Sequence, residues 1–411
     1  MNPRIKLGLA NLTSSMMTEG TTTKTGDQLS DALQLLGTNV NAGVGGEEGS
    51  VSFVSTATNF EPTLAILADM MLNSTFPAAA LERLRGRTLV NLTQAKDQPT
   101  VVGAQVFAKV LYGSNHPYGQ RATEATIKAI TRDDIVAFQK AYFQPGRAII
   151  TVVGDTTAIK AKAAIEKGLA AWAKGGTKAS FDYPKVPELQ PSKIYLVDKP
   201  GAAQSVVNIG LPGPPRNTPD YFALQVLNTI LGGQFQSRLN ANLREQKGYS
   251  YGVNSGFGFG KGPGAFRAGG SIVRDKTDAA LIEFMKELKG IEGAIPVTDD
   301  ELKTAKDNMT QSLPARFASV TAISNSITNL AVQGLPDDYY QTYAKNIAAV
   351  TKDDLLRVAK QYIDLSHIAI VIVGDRSEVE AGLKATNIAP ITILDIEGNP
   401  VGVGNGSTTN R

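Results

Sequence analysis

The chain has 411 residues, 42% apolar and 19% charged, with a net charge of +3 and no cysteine. Those values describe a folded globular protein with room for more than one domain. They offer no clustered basic charge for nucleic acid and exclude disulfides and thiolate metal sites.

No apolar run reaches the roughly 18 residues of a membrane-spanning helix. A chain without cysteine suits the periplasm and is tolerated in the cytosol. The compartment stays open, with a bacterial periplasm favoured.

In chain order, MNPRIKLGLANLTSSMM (1–17) has two early basic residues, but Asn11 and Thr13 interrupt its apolar stretch, so it makes a poor signal peptide. A first helix is expected from about residue 8. DALQLLGTNVNAG (31–43) reads as a helix, a stop at Gly37 and a strand. GSVSFVSTATNF (49–60) alternates like an antiparallel strand, and PTLAILADMML (62–72) has the spacing of a core helix face. In STFPAAALERLRGR (74–87) a proline precedes a helix rich in Ala, Leu and charge.

ITRDDIVAFQKAYFQPGRAIITVVGD (130–155) predicts a helix capped by Thr131, with acids in its first turn, followed by a buried strand in AIITVVG. The same plan recurs 220 residues later in VTKDDLLRVAKQYIDLSHIAIVIVGD (350–375), with Thr351 as cap. Both stretches share Thr-x-Asp-Asp, Lys-x-Tyr and Val-Gly-Asp. Helix, strand and stop repeated together imply an internal duplication. It extends upstream: ANLREQKGYSYGV (241–253) parallels 31–43, and GAIPVTDDELKTAK (293–306) parallels 74–87.

The Gly- and Pro-bearing segment 172–193 reads as a linker. The second copy opens with two strands, KIYLVDKP (193–200) and AQSVVNIGL (203–211), before a helix over 219–233 with Pro219 at its first position. The first copy begins almost at its helix, so the counterparts of those strands are expected to lie outside this sequence. The expected fold class is α+β: two duplicated α/β-sandwich domains, each mainly antiparallel sheet with helices packed on one face. The expected boundaries are residues 1–175, a linker over 176–192, a second domain over 193–395 and a flexible tail over 396–411.

Side chains able to carry chemistry are few. The two histidines, His116 in SNHPYG and His367 at the start of an apolar run, stand at non-equivalent points of the repeat and read as structural. No H-x-x-E-H or H-x-x-x-H spacing occurs, and no G-x-S-x-G elbow. Asp133/Asp134 and Asp353/Asp354 lie in first helical turns, where they offset the helix dipole. GVNSGFGFGKGPG (252–264) lacks the Lys-Ser end of a phosphate loop and reads as a strand end or hairpin. NLREQKGYSYGV (242–253) reads two ways: as a helix ending at Gly248 and entering a strand, or as a turn that presents Arg244 and Tyr251 as working groups.

The chain resembles the insulinase/pitrilysin family of zinc peptidases, whose signature is H-x-x-E-H, and is most similar to its short, two-copy bacterial and mitochondrial-processing type. The resemblance covers nearly the whole chain. It is carried by TEGTTTKTGDQLSDALQLLGTNVNAG (18–43), by residues 116–155 and by LNTILGGQFQSRLNANLREQKGYSYGV (227–253). It places the family's zinc helix on GLANLTSSM (8–16), with Asn11 and Ser15 at the histidine positions, Ser14 at the catalytic glutamate and Asn91 near the distal glutamate ligand. Serine and asparagine cannot replace imidazole and carboxylate ligands.

The family's Leu-Arg-Glu-x-x-Gly-x-x-Tyr frame matches Leu243, Arg244, Glu245, Gly248 and Tyr251, with Tyr249 where the family usually has leucine. The resemblance therefore implies the non-zinc subunit of a heterodimeric metallopeptidase. No cofactor is expected in this chain; Zn is expected in a homologous H-x-x-E-H partner. Arg244 and Tyr251 would act in catalysis and, with Gly252, in binding peptide substrates. The rival expectation is a proteolytically inactive structural or peptide-binding subunit.

Overall fold

The computed structural model describes residues 6–172, 183–188 and 190–401. The linker expected over 176–192 and the tail expected over 396–411 fall partly outside them. Two compact units divide the chain: Met1–Thr93, Arg121–Asp182 and Ser312–Tyr339 supply one, Gln94–Gln120, Tyr183–Gln311 and Tyr340–Arg411 the other. This partition crosses the boundary expected near residue 175. The helix Pro99–Tyr112 packs with the second unit, and the helix Val320–Gln333 belongs to the first. Sequence order cannot reveal such an exchange, because a helix face does not specify which sheet it will cover.

In the first unit, the helix Gly26–Leu35 starts at a capping box between Thr25 and Gln28 and ends where Gly37 adopts φ 65°. Strands β1 (Val40–Val44) and β2 (Gly49–Phe53) form an antiparallel hairpin that pairs only with itself. Helices Leu9–Met16, Phe60–Asn73 and Arg132–Tyr142 bury Met16, Met70, Ile127, Ile130 and Ile135 in one core. Asp134 closes the capping box at Thr131, and Asp354 does the same at Thr351.

The second unit holds a six-stranded sheet made of β3 (Lys193–Asp198), β4 (Gln204–Pro212), β5 (Ser250–Phe257), β6 (Ala265–Val273), β7 (Ala369–Gly374) and β8 (Ile391–Leu394). Its order is β5-β6-β4-β7-β3-β8. The sheet is mixed but mainly antiparallel: β3 runs parallel to β7 and β8, and the other three pairs are antiparallel.

Helices cover both faces, correcting the expectation of one. On the face of Val206, Val371 and Val373, the Pro99–Tyr112 helix packs Val102, Val106 and Phe107. On the opposite face Ser205 bonds to Thr277, at the start of the helix Thr277–Lys289, at 2.8 Å. Two covered faces explain why β4 and β7 are apolar runs without polar alternation. The helix expected over 219–233 begins at Tyr221, with Asp220 as its cap residue, so Pro219 precedes it.

One expected strand does not form. Residues 148–153 run outside any sheet, and Ile149 and Ile150 are 51% and 49% exposed, whereas their counterparts Ala369 and Ile370 are 3% and 0% exposed. β7 is a strand because β3 and β4 flank it. The first unit has no strands equivalent to those two among its described residues, so the same apolar pattern lacks hydrogen-bonding partners.

Candidate functional site

The two ends of the Arg244–Tyr251 frame are built by different devices. Residues Ala241–Gln246 form a π-helical turn, in which Lys247 N–H bonds to the Asn242 carbonyl at 3.0 Å. Such widened turns recur at functional sites. Gly248 then takes φ 65°, its N–H bonds to the Arg244 carbonyl at 3.1 Å, and Tyr249 N–H reaches the Leu243 carbonyl at 2.8 Å. The backbone thus caps the turn, and the Arg244 side chain is left free of that task. Its guanidinium lies 4.4 Å from the centre of the Phe235 ring, a cation–π contact, and pairs with neighbouring Glu245 at 3.3 Å. That ion pair is exposed and adds little.

Tyr251 sits in a β-bulge, where the pairing of β5 with β6 slips between Ser250 and Val253. The Ser250 hydroxyl accepts from Gly252 N–H at 3.0 Å and lies 2.7 Å from the Ser271 carbonyl, to which it can donate. A Cβ on Gly270 would come 2.7 Å from the Gly252 carbonyl, so the bulge settles onto a residue without a side chain. Tyr251 is 87% exposed and makes no hydrogen bond among the described residues. A phenol held out by an ordered backbone, with nothing to satisfy inside its own unit, is available to a ligand.

Asn240 connects the two devices. Its Oδ1 accepts from Val253 N–H at 3.1 Å, and its Nδ2 donates to the Phe235 carbonyl at 2.9 Å. A buried amide thereby joins the bulge that carries Tyr251 to the loop that carries the ring beneath Arg244. Beside it Asn242 donates to Glu283 at 2.9 Å and Glu287 at 2.7 Å. Burial works against the Glu283 carboxylate, but Asn242 and Lys247 hold its pKa below the usual value. Arg238, two residues before Asn240, forks onto Glu301 at 2.6 and 2.8 Å. Burial raises the Glu301 pKa, and Arg238 with Thr298 more than reverses it.

Sequence reasoning missed Asn240, Phe235, Ser250 and Gly270. The available signal was two asparagines, Asn240 and Asn242, between the apolar Leu239 and Leu243. A buried amide there needs partners that the helix itself cannot supply.

The zinc-helix positions lie on the helix Leu9–Met16 and do not form a donor set. Asn11 is exposed, Ser15 half-buried, and the buried Ser14 hydroxyl turns back to the Asn11 carbonyl at 2.9 Å. Asn91 is exposed on the helix Ala78–Ala95. These neutral groups do not fit a zinc ion. Among the described residues no group of three or more His, Cys, Asp or Glu could hold a metal.

His116 is buried between Tyr112 and Tyr118, ring centres 5.1 and 4.8 Å away, and its Nδ1 accepts from Tyr118 N–H. Burial lowers its pKa; the Pro184 carbonyl opposes this without making a full hydrogen bond to Nε2. His367 is exposed beside Asp364 and Ser366.

Residues 1–117 match the family model described as insulinase (peptidase family M16), and residues 129–309 match the one described as peptidase M16 inactive domain. A protein named as an uncharacterized zinc protease of Bacillus subtilis is 26% identical, over 77% of this chain and 76% of its own. A protein of Helicobacter pylori named as a non-peptidase homolog is 21% identical over 92% and 87%. A crystal structure described as a peptidase M16 inactive domain from Pseudomonas fluorescens superposes with a TM-score of 0.81 at 26% identity, covering 90% of this chain and 89% of that one. With both halves of the family matched along one chain, the protein belongs to the insulinase family of peptidases, M16.

Proposed function

We propose that this chain is the subunit of a heterodimeric metallopeptidase that binds no zinc and supplies Arg244 and Tyr251 in trans. Asn11, Ser14, Ser15 and Asn91 leave it without metal ligands or a general base, which supports a catalytically inactive family member when alone. A homologous H-x-x-E-H partner would hold the zinc. Peptides are the substrates, and the two halves of this chain descend from one duplicated domain. A periplasmic location is part of the same proposal.

The observation that carries the reading is Tyr251: 87% exposed, without a hydrogen bond among the described residues, and fixed at a bulge that the rest of the site is built to hold. When a peptide carbonyl turns tetrahedral, its oxygen gains negative charge. A phenol already oriented donates to that oxygen without reorganising, and removing one such donor typically costs about 10²–10³ in rate. Arg244, spread over the Phe235 ring, keeps N–H groups for the substrate backbone and adds fixed positive charge. Gly252, next to Tyr251, leaves the bulge bare so that a substrate backbone can approach.

The name of the Helicobacter pylori relative favours a second reading, a non-proteolytic scaffold. Tyr251→Phe in the mixed complex separates the two. Loss of peptide turnover with normal assembly supports the catalytic role, and unchanged turnover with normal assembly supports the scaffold.

A further inference from the structure

On the sheet face covered over β4 and β7 by the Pro99–Tyr112 helix, the neighbouring strands β5 and β6 are left open. The cause is in the register. Arg267 on β6 pairs with Gly210 on β4 and with Gly256 on β5, and the next pair along the same face sets Gly269 against Asn254. Residues paired across strands share a face, so one long side chain rises from a floor of glycines. A shallow cavity of about 440 Å³ results, walled by Phe107 and Tyr112 with Arg267 and Asn254 in its lining; the Phe257 ring pairs with Phe266 on the opposite face.

The two flanking glycines differ in a telling way. A Cβ on Gly210 would strike the Phe266 carbonyl at 2.0 Å and the Phe107 ring at 2.8 Å, so packing requires glycine there. A Cβ on Gly256 would meet nothing within 4 Å, and Gly256 has no left-handed backbone conformation to accommodate. Within a strand, glycine costs about 0.5–1 kcal/mol relative to alanine. Neither packing nor backbone geometry accounts for it at 256; keeping the floor clear does.

The guanidinium is partnered on one side only. Nε donates to Asn208 Oδ1 at 2.5 Å, and Nη1 lies 3.3 Å from Asn254 Oδ1. Both acceptors are neutral amides. Arg267 forms no ion pair among the described residues, and Nη2 makes no hydrogen bond there. Burial lowers its pKa, the sign of a cation short of countercharge. A half-buried guanidinium held by two amides, with its outer edge turned to an aromatic-walled cavity, is arranged for a planar anion.

We infer that this cavity binds the carboxyl-terminal residue of a peptide, with Arg267 taking the α-carboxylate and Phe107 and Tyr112 taking an apolar terminal side chain. A terminal residue carries carboxylate and side chain on one Cα, matching a guanidinium and aromatic rings that line the same cavity. An internal Asp or Glu uses its own stem to reach the arginine and leaves the aromatic walls unfilled. The site lies wholly within the second unit and does not depend on zinc, a partner or the Arg244–Tyr251 pair.

The test is fluorescence anisotropy of the full chain alone with three amino-terminally labelled peptides of otherwise common sequence. One ends in a free leucine carboxylate, one in leucine amide, and one carries an internal glutamate and an amidated end. The free acid is expected to bind at least tenfold more tightly than the other two. R267M should abolish that preference. G256V, which fills the floor with a strand-favouring side chain, should abolish binding while leaving the melting temperature unchanged or raised. Equal binding of acid and amide, or a G256V protein that binds as well as the parent, overturns the proposal. Tightest binding by the amidated glutamate peptide assigns the arginine to acidic side chains and overturns the terminal assignment. Because no hydrolysis is measured, failure here leaves the peptidase proposal standing.

Discussion

The helix Leu9–Met16 and the turn 241–253 are where the resemblance places the family's zinc ligands and its Arg/Tyr pair, and their side chains are treated in opposite ways. In the helix, the residue at the general-base position, Ser14, is buried and bonded to its own backbone. In the turn, a π-helical cap, a bulge and a buried asparagine hold Arg244 and Tyr251 outward. The difference teaches that one chain can bond a side chain back into its own helix at one place and order its backbone to hold side chains out at another. Tyr251 contributes little to its own unit, yet Ser250, Asn240 and Gly270 order the backbone on which it stands.

That contrast can be broken or sharpened by substitution. The largest effects should come from Arg244→Ala and Tyr251→Phe, each lowering kcat of the mixed complex by about 10²–10³. The melting temperature of this chain should stay unchanged, as measured by calorimetry beside the rate assay. A stability loss comparable to the rate loss would mean that the side chains serve the fold.

Asn240→Ala comes next. It strands the buried Val253 N–H and should destabilise the chain by about 1–3 kcal/mol. It should also lower kcat without altering peptide affinity, a split that simple unfolding would not produce. Thr351→Ala removes a capping box outside the turn and should cost about 1 kcal/mol in denaturant titration, with turnover unaffected. A smaller effect is tied to pH. The Arg357 guanidinium, with Tyr362, holds the Asp220 carboxyl below its ordinary 3.8. A depressed carboxylate stabilises the fold above the unfolded-state value and loses that contribution as pH falls through the folded-state value. Asp220→Asn should therefore flatten the acid side of the stability curve below about pH 4 and leave the neutral side nearly parallel to the parent. The smallest effect is expected from Asn11→Ala combined with Ser15→Ala, surface changes within about 0.5 kcal/mol and without consequence for turnover. A marked rate loss there would return chemistry to the degenerate helix.

Local signals were legible in the sequence. Thr131 and Thr351 were legible as helix N-caps, and both caps form, each closed into a capping box by Asp134 or Asp354. The stretch 252–264, read as a strand end or hairpin, links the antiparallel β5 and β6. Features that depend on a partner were not legible. AIITVVG and IAIVIVG carry the same pattern, yet only the second is a strand, because pairing partners and not propensity decide. The Pro99–Tyr112 helix gave no sign that it would cover the second unit's sheet. The candidate pair was legible only through the resemblance to the family, the residues alone leaving a structural reading open, while the bulge under Tyr251 and the widened turn under Arg244 arise from register and hydrogen bonding. Arg267 escaped notice because its glycine neighbours are adjacent across strands and distant along the chain.

The most direct test measures zinc content and peptide cleavage for this chain alone, for an H-x-x-E-H homologue alone and for their equimolar mixture. The account predicts zinc on the homologue only and cleavage in the mixture only. A pure preparation of this chain that carries one zinc per molecule and cleaves peptides unaided would contradict it.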